Sequence, residues 1–156
     1  MKVLSLLEPW ASLVAWGYKK IETRSWGTPY RGAIAIHASK SNREAGKIVP
    51  LFRAAGLMRE AGTNDELDQF TTNVGDWPLG KIVAVARLYH VEQMTPELIA
   101  AQTLWESTFG DWRPGRFAWS LGNIQRLAEP IPWKGSLGLR DVPLEVEEAA
   151  MACRVS

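Results

Sequence analysis

The stretch GKIVAVARLYHV, residues 80–91, constrains the fold more than any other part of the chain. Its β-branched and apolar residues follow one another almost without polar interruption, the pattern of a strand with one face in the core and much of the other covered as well. Such a strand needs further strands beside it and material packed over it. VLSLL (residues 3–7) predicts a short buried strand. Pro9 then suits a first helical position, Trp10, Leu13 and Val14 follow helical spacing, and Gly17 suits the left-handed residue that stops a helix. KKIETRS (19–25) reads as a strand, TPYRG (28–32) as a turn in which proline fixes φ, and AIAIHAS (33–39) as a strand that pairs with the one before it.

A helix is expected over residues 42–53, weakened by Gly46 and Pro50, followed by a long loop with some helix over 55–78. Thr95 as cap and Pro96 behind it start a helix running to about Thr108, which Gly110 ends. GRFAWSLGNIQRLA (115–128) predicts two strands broken at Leu121 to Asn123, EPIPWKG (129–135) an irregular or edge segment, and VPLEVEEAAMA (142–152) a short acidic helix. No internal repeat is present. The 156 residues fit one domain, 1–156, able to bury roughly two-thirds of its unfolded surface. This order of elements predicts an α+β fold around a strongly bent antiparallel sheet or small barrel.

Whole-chain charge is uninformative: a net charge of +1 with 46% hydrophobic and 22% charged residues is ordinary globular composition. Its distribution is uneven. From Gly17 to Arg43, Lys19, Lys20, Arg24, Arg31, Lys40 and Arg43 face Glu22 alone, a local balance of +5, whereas Glu60 to Asp76 contains only acids. The amino-terminal third is therefore the anion-facing side. A single cysteine, Cys153, cannot form an internal disulfide and suits a reducing compartment, so a cytoplasmic location is expected. Glu8 and Pro9 interrupt the apolar start, and Pro9–Tyr18 is too short to span a bilayer, so neither a signal peptide nor a membrane segment is expected. His37, His90 and one remote cysteine do not make a structural zinc site, and no metal or other cofactor is expected.

The charged stretch GYKKIETRSW (17–26) carries the chemistry. Strand alternation puts Lys20, Glu22, Arg24 and Trp26 on one face and Lys19, Ile21, Thr23 and Ser25 on the other, with Ile21 marking the second face as core. Lys19 would then be buried, unless it precedes the regular strand or lies in a cleft. A desolvated lysine can act as a base or nucleophile, whereas one beside Glu22 keeps its charge and holds an anion. Arg24 and Arg31 flank a turn and can present guanidinium groups to phosphate or a base edge. Tyr30 can stack on a base or pack on Pro29. His37 shares a strand face with Ala33 and Ala35, whose small side chains leave room for a ligand, although a lone histidine is more often a hydrogen-bonded structural one. Most of the eight tryptophans belong in the core, with Trp10 and Trp26 expected near a cleft.

Four blocks, LSLLEPWASLVAWGYKKIETRSWGTPYRGAIAIHASK, PLGKIVAVARL, PGRFAWSLGNIQRL and EPIPWKGSLGLRDVP, resemble the activating signal cointegrator homology (ASCH) domains in the order in which that family carries them. The family signature G-x-K-x-x-E-x-R falls on Gly17, Lys19, Glu22 and Arg24, which selects Lys19 over Lys20 for the cleft. Residues of about 41–77 form a variable insertion. The resemblance implies a PUA-like small bent β-barrel with helices packed at its ends and a cleft beside the signature. It also implies recognition of RNA or other nucleic acid, or action on an acetylated cytidine nucleoside or on RNA. One departure is Glu8-Pro9-Trp10, where the family usually has Gln-Pro-Trp.

Three readings follow. In the first, a basic, aromatic-lined cleft binds single-stranded RNA or a modified base through Trp10, Arg24, Ser25, Trp26, Tyr30, Arg31 and His37, because aromatic plates beside cations suit splayed bases. In the second, a hydrolase cuts RNA or an acylated nucleoside such as N4-acetylcytidine, with Lys19 and Glu22 handling protons. In the third, the acidic stretch 60–76 docks a basic protein. Binding needs only features visible in the sequence and is the primary reading.

Overall fold

The computed structural model describes residues 1–43 and 74–155. Among them are six strands, β1 (Lys2–Leu6), β2 (Ile21–Arg24), β3 (Gly32–Ala38), β4 (Lys81–Gln93), β5 (Phe117–Pro132) and β6 (Leu139–Asp141). Four helices accompany them: α1 (Trp10–Ala15), α2 (Pro96–Ala100), α3 (Leu104–Phe109) and α4 (Leu144–Ala152). Most of the helix expected over 42–53 and most of the acidic stretch 60–76 lie outside the described residues. No described helix is long and apolar enough to cross a membrane.

All six strands form one sheet in the order β2-β5-β4-β3-β1-β6. It does not close, but it is bent like a barrel, and register shifts at Ile36/His37, Ile82/Ala84, Val85/Arg87 and Leu88/His90 mark where strands must turn. β4 is buried without a break from Ile82 to Ala86, as its composition demands, because both faces of the sheet are covered. On one face Leu4, Leu6, Ile34, Ile36, Ala84, Leu88, Trp119 and Leu121 pack with Ala11 and Val14 of α1. On the other, Val3, Ala35, Ile82, Val85 and Leu127 pack with Val142 and with Ala150 of α4. Each fully buried Leu or Ile adds about 1.5–3 kcal/mol of hydrophobic stabilisation.

Several local expectations require correction. KKIETRS and AIAIHAS do not pair: β2 lies antiparallel to β5 (Ile21↔Ser120 to Arg24↔Phe117), while β3 sits between β4 and β1. The reason is burial. β3 presents apolar residues to both faces and needs neighbours on both edges, whereas charged β2 is satisfied at the sheet's border. The sheet is also not wholly antiparallel, since β1 runs parallel to β3 with α1 and β2 in the connection. β5 is one strand rather than two, with Asn123 at φ 46° absorbing the expected break. The helix after Thr95 divides at Thr103, whose hydroxyl caps α3 by accepting a bond from Glu106 N at 3.1 Å. Pro9 precedes α1 instead of opening it.

The first edge of β1 is filled by β3 and the second by β6, with Lys2↔Asp141 and Leu4↔Leu139 in register. Gly17 adopts φ 80° as expected and turns the chain out of α1. Tyr18 N and Lys19 N then both donate to Leu13 O, at 3.0 and 3.1 Å, so the helix end fixes where Lys19 begins its side chain.

Candidate functional site

Lys19 lies before the regular part of β2, and that offset decides its direction. Strict alternation would pair Glu22 and Arg24 with Lys20, but the backbone bonds to Leu13 turn Lys19 into the cavity that Glu22 and Arg24 line. This cavity, about 600 Å³, lies between the start of α1, β2 and the end of α3, and Trp10 forms part of its wall. Lys20 instead reaches a separate cavity of about 700 Å³ with Tyr18, Tyr89, Leu104 and Trp105. That second space is larger, but apart from Lys20 and Glu106 its lining is apolar or neutral, whereas several charged groups meet around Lys19.

Lys19 is 1% exposed and its Nζ donates to Ile21 O, with Glu106 Oε1 at 3.7 Å. Glu22 is also buried, and Arg24 Nη1 stands 3.7 Å from its Oε1. Burial pushes the Glu22 carboxyl above the ordinary carboxylate value of 4.5, Lys19, Arg24 and Arg116 pull it down, and the neighbouring Glu106 charge adds to the rise. A buried carboxyl held against cations in this way can receive a proton or accept hydrogen bonds from a ligand.

Glu106 is a residue that sequence reasoning missed. The segment TLWE (103–106) has the spacing of a capping box, in which the glutamate would fold back on the cap residue. Here its carboxylate turns away and accepts from Lys20 N at 3.2 Å and Ile21 N at 3.4 Å while facing Lys19. Trp10 is tied to the same helix, its Nε1 donating to Phe109 O at 2.8 Å. Thr23, Asp111 and Arg116 complete this side: Thr23 Oγ1 accepts from Asp111 N at 3.0 Å, and Arg116 Nε donates to Asp111 O at 3.0 Å. Arg113 grips the Asp111 carboxylate at 2.5 and 2.6 Å and holds it below the usual carboxylate range.

His37 occupies an adjoining cavity of about 630 Å³ that shares Leu6, Leu7, Arg24 and Arg43 with the first. The histidine is 1% exposed and burial lowers its pKa below 6.5. Its Nε2–H donates to Trp133 O at 3.1 Å, which leaves Nδ1 to accept the Ser5 hydroxyl at 2.8 Å. Gly135 lies so close that a Cβ there would stand 2.7 Å from His37 Cε1 and 3.0 Å from Ser5 Oγ.

Thus Trp10, Lys19, Glu22 and Arg24 come together around one cavity, with His37 next door. Ser25 is exposed, and Ser25, Trp26, Tyr30 and Arg31 line neither cavity. Trp26 packs edge-on against Trp119, with ring centroids 4.7 Å apart, and lies 5.5 Å from the Arg24 guanidinium, which places it behind the cleft as a support. The Tyr30 hydroxyl donates to Ala33 O at 2.6 Å, and exposed Arg31 donates to the carbonyls of Thr28 and Tyr30, at 2.8 and 2.7 Å. Glu8 is fully buried and bonds to Ser12 N at 3.1 Å and the Ser12 hydroxyl at 2.7 Å, so it caps α1 and lines neither cavity. Among the described residues no three His, Cys, Asp or Glu side chains are placed to hold a metal ion.

A sequence model of the ASCH domain matches residues 4–129, which include every residue of the Lys19 cluster. The chain belongs to the ASCH domain family. Activating signal cointegrator 1 from Homo sapiens and its Mus musculus counterpart are each 39% identical over 56 residues, 36% of this chain but 10% of theirs. The match thus spans about a tenth of the length of those cointegrators. The crystal structure of ASCH from Zymomonas mobilis superposes with a TM-score of 0.60 at 14% identity, covering 99% of this chain and 95% of that one. A single-residue variant of the same Zymomonas protein gives 0.58 at 14% identity, covering 99% and 98%. These likenesses agree with the α+β, PUA-like bent sheet.

Proposed function

We propose that this ASCH domain binds single-stranded RNA or a modified base, and that the base enters the cavity lined by Trp10, Lys19, Glu22 and Arg24. The observation that carries this reading is the convergence of a buried lysine, a buried carboxylate and an arginine beside an indole in a space of about 600 Å³. A base edge carries both donors and acceptors, which Glu22 can accept and Lys19 and Arg24 can donate to, and Trp10 supplies an apolar wall. The test is fluorescence anisotropy with a labelled 12-nucleotide single-stranded RNA of mixed sequence. Lys19→Met should weaken binding by about 1.5–3 kcal/mol, the worth of a charge-assisted hydrogen bond. Lys20→Met, altering a side chain in the other cavity, should change it little. Equal affinity in Lys19→Met and the unaltered protein would overturn the assignment.

A second reading rests on the raised Glu22 carboxyl beside Lys19. The same pair would exchange protons during hydrolysis of RNA or of an acylated nucleoside such as N4-acetylcytidine. In that case Lys19→Met should lower turnover by about 10²–10⁴-fold, the usual effect of losing a general acid or base. Release of cytidine from N4-acetylcytidine, or of RNA fragments, by the unaltered protein separates the two readings.

A further inference from the structure

We infer that the cavity over His37 is a phosphate subsite, so that the ligand of this domain is a phosphate-bearing nucleotide or strand and its phosphate sits beside the base cleft. The inference rests on the base-binding reading of the Lys19 cavity and adds a second pocket to it. The two spaces differ in charge. The Lys19 cavity mixes cations with the carboxylates of Glu22 and Asp111. The His37 cavity is lined by Arg24, Lys40, Arg43 and Lys134 and by no carboxylate among the described residues. A pocket whose described lining holds several cations and no acid favours a group that only accepts hydrogen bonds and carries negative charge, an oxyanion such as phosphate.

Its neutral groups point the same way. Ser39 Oγ accepts from Ser41 N at 3.4 Å and Ser41 Oγ accepts from Arg43 N at 3.4 Å, so each hydroxyl keeps its proton to donate. His37 spends its Nε2–H on Trp133 O and its Nδ1 on Ser5, so it forms a fixed neutral floor instead of competing for the anion. Arg24 lines both spaces, and the separation of a base from its own phosphate is bridged at that residue.

The test uses the double variant Lys40→Gln/Lys134→Gln. Both lysines are exposed, and glutamine keeps the Cγ and Cδ of the Lys40 stem that lies over Gly80. With the labelled 12-nucleotide RNA, the variant should bind about tenfold more weakly at low salt. The slope of log affinity against log salt should become shallower by about 0.7, the contribution of the one phosphate of a single strand that the subsite neutralises. Cytidine 5′-monophosphate against cytidine, compared in the same two proteins, separates a terminal phosphate from an internal phosphodiester. Loss confined to RNA assigns the subsite to a strand, and loss with the monophosphate as well assigns it to any nucleotide.

Inorganic phosphate, followed by the amide resonances of Ser39, Ser41 and Lys134, provides a readout independent of RNA. If RNA binding depends on Lys19 but is identical in affinity and salt slope in the double variant, the phosphate subsite is wrong and the base cleft stands. If no RNA binds, yet phosphate shifts these amides in the unaltered protein and not in the variant, the subsite stands and the base-binding reading fails. If no RNA binds and no amide shifts, both are overturned.

Discussion

Replacing Glu8 by glutamine should make this domain more stable, and only at neutral and alkaline pH. The Glu8 carboxyl is fully buried and accepts hydrogen bonds from Ser12 N and the Ser12 hydroxyl, and burial raises its pKa from 4.5 to about 7 against the opposing pull of those two bonds. The unfolded chain releases this proton near 4.5, whereas the folded chain holds it until about 7. Stability associated with the protonated carboxyl is therefore complete below about 4.5, falls as pH rises, and is gone above about 7. Each pKa unit is worth about 1.4 kcal/mol, so the interval amounts to about 3 kcal/mol. Glutamine has the same shape, can accept from Ser12 N and has no charge to desolvate. Urea denaturation followed by tryptophan fluorescence at pH 5, 6.5 and 8 gives the comparison. The two proteins should be similar near pH 5, and Glu8→Gln should gain about 3 kcal/mol by pH 8. Other titrating groups are common to both and cancel in the difference. A stability difference that does not change with pH, or a variant less stable at pH 8, would refute the reasoning.

Two further outcomes are expected. Gly135→Ala should cost about 1–3 kcal/mol through overpacking, because its Cβ would stand 2.7 Å from His37 Cε1, and nitrogen NMR of His37 should show its bond to Trp133 disturbed; an unchanged melting temperature would contradict this. Glu106→Gln removes the negative charge that faces Lys19 and raises Glu22, so carbon NMR should find the Glu22 carboxyl titrating lower than in the unaltered protein, and an equal or higher midpoint would oppose the described cluster.

What the sequence makes legible is whatever depends on neighbours along the chain. The run over Ile82–Ala86 announces a strand covered on both faces, Gly17 marks the end of α1, and Thr95 caps α2 as its hydroxyl predicts. Pairing partners are less legible, because a strand's edge is satisfied by distance in space and not by order in sequence. β2 shows this: the turn after it suggests pairing with β3, yet β5 offers it a border position while β3 is drawn to the centre. The site divides in the same way. The spacing of Lys19, Glu22 and Arg24 falls within one local stretch; the family register points to Lys19 where strand alternation points to Lys20, and Lys19 is the one that lines a cavity with Glu22. Glu106 carries no such signal, since a T-x-x-E segment speaks for a helix cap and its carboxylate is recruited by backbone amides far away in sequence. Trp26 illustrates the opposite failure: adjacency to the charged strand suggests a stacking plate, but a T-shaped contact with Trp119 commits its ring elsewhere.

The position of β1 has a consequence for how the protein comes into being. It is an interior strand with β3 on one side and β6 on the other, although β1 and β6 are the first and last strands of the sheet in sequence order. During synthesis on a ribosome, β1 emerges before the other five strands of this sheet and must wait for all of them before its outer edge is covered. Until then Lys2, Val3 and Leu4 present unpaired amides and carbonyls to any strand that passes, the situation in which edge-to-edge association begins. The order of manufacture thus leaves an early strand exposed for a long time, and β6, although only three residues long, is the piece whose arrival ends that exposure.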